Sequence, residues 1–166
     1  MPLNSMQDLA VHKLQLIYDA ENQALQAYPQ IVGAVSSPEL QQGLQQHMEQ
    51  TQNQVQRLEQ IFQQLGQTPR GQTCISMQGL IQEAQQLIQD GGAPEVLDAA
   101  IIGAAQAIEH HEIAAYGTAR TIAQQLGMNE AAQLLEQTLD EEKQTDAQLT
   151  QLAEQSVNQK AQAAGQ

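Results

Sequence analysis

Gly66-Gln67-Thr68-Pro69-Arg70-Gly71 and Gly91-Gly92-Ala93-Pro94 bracket the one connection in this chain that cannot be a tight turn. Before Gly66, apolar residues recur at helical spacing from Pro38 to Leu65; after Pro94 they recur as far as Leu126. Between the brackets, Ile75 to Asp90 has its own shorter helical pattern. The other breaks are abrupt. Ser36-Ser37-Pro38 ends a first pattern that starts at about Ser5, because Pro cannot continue a helix but can open one. Gly127 ends the fourth pattern, and a fifth begins near Asn129 and frays after Val157. Abrupt breaks make antiparallel pairs, first with second and fourth with fifth.

The four long patterns would form helices of roughly 40–50 Å at ~1.5 Å per residue. Two hairpins joined by one long connection is the plan of ferritin-like bundles, whereas an up-down-up-down bundle needs three short loops. The expectation is all-α: a ferritin-like antiparallel four-helix bundle over residues 1–157, with a crossover carrying a short fifth helix. Residues 158–166 are expected as a disordered tail.

Composition agrees. Of 166 residues, 35 are Gln and 23 are Ala, while only four are aromatic (Tyr18, Tyr28, Phe62, Tyr116) and none is Trp. Gln and Ala suit helices, and the β-branched and aromatic residues that fill strands are scarce. The Gln residues alternate with Leu, Ile, Val and Ala at helical spacing, so they read as helix surface and not as a low-complexity tract. Six basic against nineteen acidic residues leave a net charge of -13, which repels phosphate backbones and anionic lipid. Nucleic acid and membrane are therefore not expected partners. With no signal-peptide pattern and no long apolar run, a soluble cytoplasmic chain is expected. The single cysteine, Cys74, reads as a small buried apolar residue, since no base shares an evident motif with it.

The chemistry lies on the inward faces. Stepping residues at about 100° puts Leu14, Ile17, Tyr18, Ala24, Tyr28 and Ile31 on the first stripe, with Glu21 in its middle. The second stripe (Leu40, Leu44, Met48, Val55, Leu58, Phe62) carries His47 and Thr51 near its centre, or Glu49 if the phase differs. The fourth (Ile101, Ala105, Ile108, Tyr116, Ala119) carries Glu109 and Glu112, and the fifth (Leu135, Thr138, Leu149, Leu152) carries Glu142, with Asp146 a turn on. Each long helix thus aims an ionisable group at the middle of the bundle. Burying an isolated carboxylate costs several kcal/mol, and several together repel. Either most of them protonate or cations sit among them. Basic residues are too few and too peripheral to serve. A metal pair is the natural compensation, and carboxylates with one imidazole suit iron, then manganese, better than zinc.

At these residues the sequence resembles the YciE/YciF family of bacterial ferritin-like stress proteins, over nearly its whole length. The carriers are Tyr18-Asp19-Ala20-Glu21, His47-Met48-Glu49-Gln50-Thr51, Met77-Gln78-Gly79-Leu80-Ile81 and Asp98-Ala99-Ala100-Ile101. The most specific are Glu109-His110-His111-Glu112-Ile113-Ala114-Ala115-Tyr116-Gly117-Thr118, then Leu126-Gly127, and Thr138-Leu139-Asp140-Glu141-Glu142-Lys143 with Asp146. The resemblance implies a ferritin-like fold of rubrerythrin-like geometry and a homodimer; it implies no particular reaction.

The usual di-iron pattern takes one Glu from each of two helices and Glu-x-x-His from each of the other two. Here Glu109-x-x-Glu112 resembles the doubled Glu of rubrerythrins, Glu142 is followed by Thr145 and Asp146 in place of His, and the second helix has no Glu-x-x-His. The leading expectation is a two-metal stress protein that reduces peroxide or binds and oxidises Fe(II), its small-molecule oxidant being peroxide or dioxygen. Glu112 and Glu142 would bridge, Glu21 and Glu109 would be terminal ligands, and His47 and Asp146 would complete the shells. Tyr18 and Tyr116, each one turn from a ligand, would donate supporting hydrogen bonds. His110 and His111 lie off the stripes and read as surface or interface residues. The alternative is a metal-free bundle with an interaction or structural role.

Overall fold

A computed structural model describes residues 2–164. Five helices follow the expected order: α1 Met6–Ala34, α2 Pro38–Leu65, α3 Ile75–Asp90, α4 Pro94–Gln125 and α5 Asn129–Leu152. Among the described residues there is no strand, and no helix is long and apolar enough to cross a membrane. The ends form where the cap residues dictate. Ser5 Oγ accepts from the Asp8 amide and Ser37 Oγ from the Leu40 amide, while Gly66 closes α2 in the left-handed region at φ 60°. α1 passes through Pro29 without ending, although Pro removes one helical hydrogen bond.

The tail departs from expectation. After α5 the chain makes one turn of π-helix, Ala153–Val157, and continues as α6 over Asn158–Ala164. Val157 is buried in the core beside Leu149, and that anchor carries helix into residues expected to be disordered. Residues 165 and 166 of the expected tail lie outside the described residues.

The abrupt α1–α2 turn is held by a residue from α4. Asp98, buried, accepts from the Ser36 amide (2.8 Å), the Ser36 hydroxyl (2.6 Å) and the Ser37 amide (2.8 Å). The crossover is held by α1: Gln15 Nε2 donates to the carbonyls of Thr68 and Arg70, and Asp19 accepts from the Cys74 amide that opens α3. Gly71, at φ 140°, passes so close to Gln15 that a Cβ would sit 3.3 Å from its Nε2. α3 then packs across α1 and α4.

The core is split. One apolar cluster gathers Ile31, Leu40, Leu44, Met77, Ile101, Ile108 and Leu149; the other gathers Leu14, Ile17, Leu58, Phe62, Tyr116, Leu135 and Leu139. On every long helix buried polar residues fall between the two: Glu21 on α1, His47, Thr51 and Gln54 on α2, Glu109 and Glu112 on α4, Glu142 and Thr145 on α5; Gln15 and Asp98, also buried, instead hold the crossover and the first turn. The bundle is two dry halves around an ionisable belt.

Candidate metal centre

Four residues from three helices converge in that belt. His47, Glu109, Glu112 and Glu142 each offer a ligand atom, and these atoms all lie within 4.8 Å of one another. All four side chains are buried, His47 to 2 % exposure and Glu142 to 0 %. Glu49, the other candidate on α2, is exposed, so His47 faces the site.

His47 is held from three sides. Its Nδ1 lies 3.1 Å from Thr145 Oγ1, and the ring of Tyr28 meets it edge-on with centroids 5.5 Å apart. Its Nε2 stands 3.0 Å from Glu109 Oε1 and 3.7 Å from Glu142 Oε2, but is aligned for a hydrogen bond with neither. The tautomer in which Nδ1 donates to Thr145 leaves the Nε2 lone pair facing the carboxylates, the form a metal ligand needs.

The carboxylates are under-satisfied. Glu109 Oε2, Glu112 Oε1 and both oxygens of Glu142 lack a hydrogen-bond partner. Burial, with the neighbouring Glu142 charge, pushes Glu21 up to about 8; burial likewise pushes Glu109 up to about 8. Burial and the surrounding carboxylates push Glu112 well above the ordinary range, and burial does the same to Glu142 against the pull of His47. Buried polar atoms are normally paired, so this concentration of orphan oxygens beside a free imidazole nitrogen fits a cation.

The remaining predicted ligands lie elsewhere. Glu21 is in the belt at 0 % exposure but outside the four-residue cluster; its Oε1 accepts the Tyr116 hydroxyl at 2.5 Å. Asp146 does not face the centre. It is 23 % exposed and bonded to His110 Nε2 (3.2 Å) and Gln106 Nε2 (3.0 Å), while its neighbour Thr145 points inward. One residue of phase, about 100° of helix, separates the two. Of the two tyrosines, Tyr116 makes the anticipated bond; Tyr18 turns out to the surface and donates to Glu59. His111 is half-buried, with Nε2 at 3.4 Å from Cys74 Sγ, so the cysteine does have an imidazole neighbour, brought by folding and not by a motif.

Sequence reasoning missed Gln54. It is fully buried on α2, where the stripe pointed to Val55, and its Nε2 donates to Glu141 Oε2 at 3.1 Å. Arg57 grips the same Glu141 through two bonds of 2.7 Å. Burial works against the Glu141 charge, but the bonds from Arg57 and Gln54 hold its carboxyl below the usual range.

The comparisons with known proteins agree with this architecture. Protein YciF of Escherichia coli (strain K12) is 42% identical over 162 residues, covering 97% of this chain and 98% of that protein. The crystal structure of the E. coli stress protein YciF superposes with a TM-score of 0.90 at 42% identity, covering 93% of this chain and 98% of that one. A Xanthomonas campestris protein at 22% identity and TM-score 0.73, over 90% of this chain and 92% of that one, shares the fold. The family described as Domain of unknown function (DUF892) matches residues 5–162, and the chain belongs to it, alongside YciF.

Proposed function

We propose that this protein is a ferritin-like stress protein that binds iron or manganese in the core of its bundle. The observation that carries this reading is the set of unpartnered ligand atoms on His47, Glu109, Glu112 and Glu142, enclosed between two apolar clusters. Carboxylate oxygens with a single imidazole favour Fe and Mn over Zn. When bound, such ions supply one-electron chemistry toward a small oxidant, peroxide or dioxygen.

The chain's own residues have distinct parts in this reading. Thr145 holds the His47 ring so that Nε2 is free to coordinate. Glu112 and Glu142, central in the belt, are the carboxylates that two ions would share, with Glu109 terminal beside His47 and Glu21 terminal beside Tyr116. Tyr116 keeps its proton, since burial and then Glu21 push its hydroxyl well above the ordinary range, and so acts as a hydrogen-bond donor that fixes Glu21. The two apolar clusters on either side keep bulk water from the belt, whose acids are almost fully buried. The homodimer implied by the family resemblance belongs to the same proposal.

One observation favours a metal-free structural bundle instead. Because burial raises all four carboxyl groups, Glu21 and Glu109 to about 8, the acids can stand as neutral or proton-sharing groups near pH 7. Metal analysis by mass spectrometry decides between the two. Aerobic loading with Fe(II) or Mn(II) is expected to leave at least one ion per chain after desalting; well under one ion, with a thermal midpoint indifferent to chelator, establishes the structural bundle.

A further inference from the structure

Gln54 occupies the belt without an apparent task, and the chain itself decides which way its amide faces. Arg57 holds Glu141 through two charge-assisted bonds, and Glu141 Oε2 accepts Gln54 Nε2. The nitrogen is therefore committed to Glu141. Gln54 Oε1 is enclosed at 0 % exposure with no donor, a condition that destabilises the fold unless something binds it.

Helix register places that oxygen. His47 on α2 is level with Glu109 on α4, and both helices run the same way from there. Seven residues further on, ~10 Å along each axis, come Gln54 and Tyr116. Tyr116 meets Glu21, so Gln54, Tyr116 and Glu21 share a level two turns from His47 and Glu109. Glu112 lies between the two levels on α4. Glu142 lies between them as well, one turn from Thr145, which meets His47, and next in sequence to Glu141, which meets Gln54. Glu21 Oε2, like Gln54 Oε1, is buried and unpartnered.

The two ends of the belt thus differ in chemistry. One carries an imidazole with Glu109. The other carries oxygen only, one carboxylate and one neutral amide. We propose that the belt offers two unequal cation positions, and that Gln54 Oε1 is a ligand of the weaker, imidazole-free one, with Glu21 Oε2 and the shared carboxylates Glu112 and Glu142. This rests on the metal-binding reading above and deepens it. The imidazole end fills first, because nitrogen donors hold first-row transition ions more tightly than a neutral oxygen does; the oxygen-only end takes hard cations such as Mn(II). Arg57 and Glu141 are positioning residues: they touch no ion and act by turning the amide.

The test is a titration of the full-length metal-free protein with Mn(II), counting unbound ion by its six-line paramagnetic resonance signal. Two ions per chain are expected, the second held at least about tenfold more weakly than the first. Gln54→Leu is expected to lose the second ion and keep the first within about twofold, and Glu21→Gln to do the same. Circular dichroism confirms that each variant folds, and either one alone suffices. A wild-type protein that binds a single ion, or variants that keep both, overturns the proposal while the metal-binding reading stands. A wild-type protein that binds none overturns both.

Discussion

Tyr116 on α4 donates its hydroxyl to Glu21 Oε1 on α1 at 2.5 Å, joining residues 95 positions apart inside the ionisable belt. Neither group reaches water: both are 0 % exposed. The bond satisfies one oxygen of a carboxyl group and leaves the other unpartnered, so Glu21 is half-committed to the fold and half-available to a ligand.

Removing that donor should cost stability without emptying the fold. Tyr116→Phe leaves Glu21 Oε1 unpaired, and a loss of about 1–3 kcal/mol is expected from urea denaturation. Because the hydroxyl lowers the Glu21 pKa, which burial and Glu142 have already raised to about 8, its removal is expected to raise that pKa further.

The metal-free protein should lose stability as pH rises. Burial pushes Glu21 and Glu109 up to about 8 in the folded state, above the ordinary carboxyl value of 4.5, and raises Glu112 and Glu142 well above that ordinary value too. The folded state therefore holds protons that the unfolded chain releases. The stabilisation is complete below pH 4.5 and disappears as pH climbs through about 8. Thermal melts from pH 5 to pH 9 in chelator are expected to show a falling midpoint, and saturating Mn(II) to reverse the trend, because ions bind the deprotonated acids. A midpoint that rises across that range in chelator contradicts the burial argument.

Thr145 acts on the metal only through His47. Thr145→Val keeps the shape but removes the oxygen 3.1 Å from Nδ1. Mn(II) affinity is expected to fall roughly 10–100-fold at the tighter position, with the helical circular dichroism spectrum unchanged. Asp146→Asn, on the residue turned outward, is expected to leave that affinity within about twofold.

Asp98 is a structural counterpart to the belt. Its carboxylate takes three donors from Ser36 and Ser37 and ties the first hairpin to α4. Asp98→Ala strands two backbone amides and a hydroxyl, so a loss of roughly 2–4 kcal/mol in chemical denaturation is expected, with no change in ion stoichiometry.

Much of the fold can be read directly from residue order. Pro38 and Pro94 open helices, Gly66, Gly91 and Gly127 close them, and the long stretch between Leu65 and Pro94 forces the crossover. The belt is partly legible for the same reason: a Glu or His amid Leu, Ile and Ala stands out at helical period, which marked Glu21, His47, Glu109, Glu112 and Glu142. The phase of the Gln-rich faces is not legible. Val55 and Gln54 on α2, and Asp146 and Thr145 on α5, differ by one residue, and a stripe of low contrast does not decide between neighbours about 100° apart.

By itself, then, the sequence determined the number, order and pairing of the long helices and the acidic, imidazole-poor character of the core, because local propensity and periodicity act along the chain. Tertiary structure alone decided which polar neighbour turns inward, that Asn158–Ala164 continue as helix, that His111 meets Cys74, and that Arg57 and Glu141 aim the Gln54 amide. Each of those depends on a partner from a distant segment, whose attraction exists only once the helices are packed.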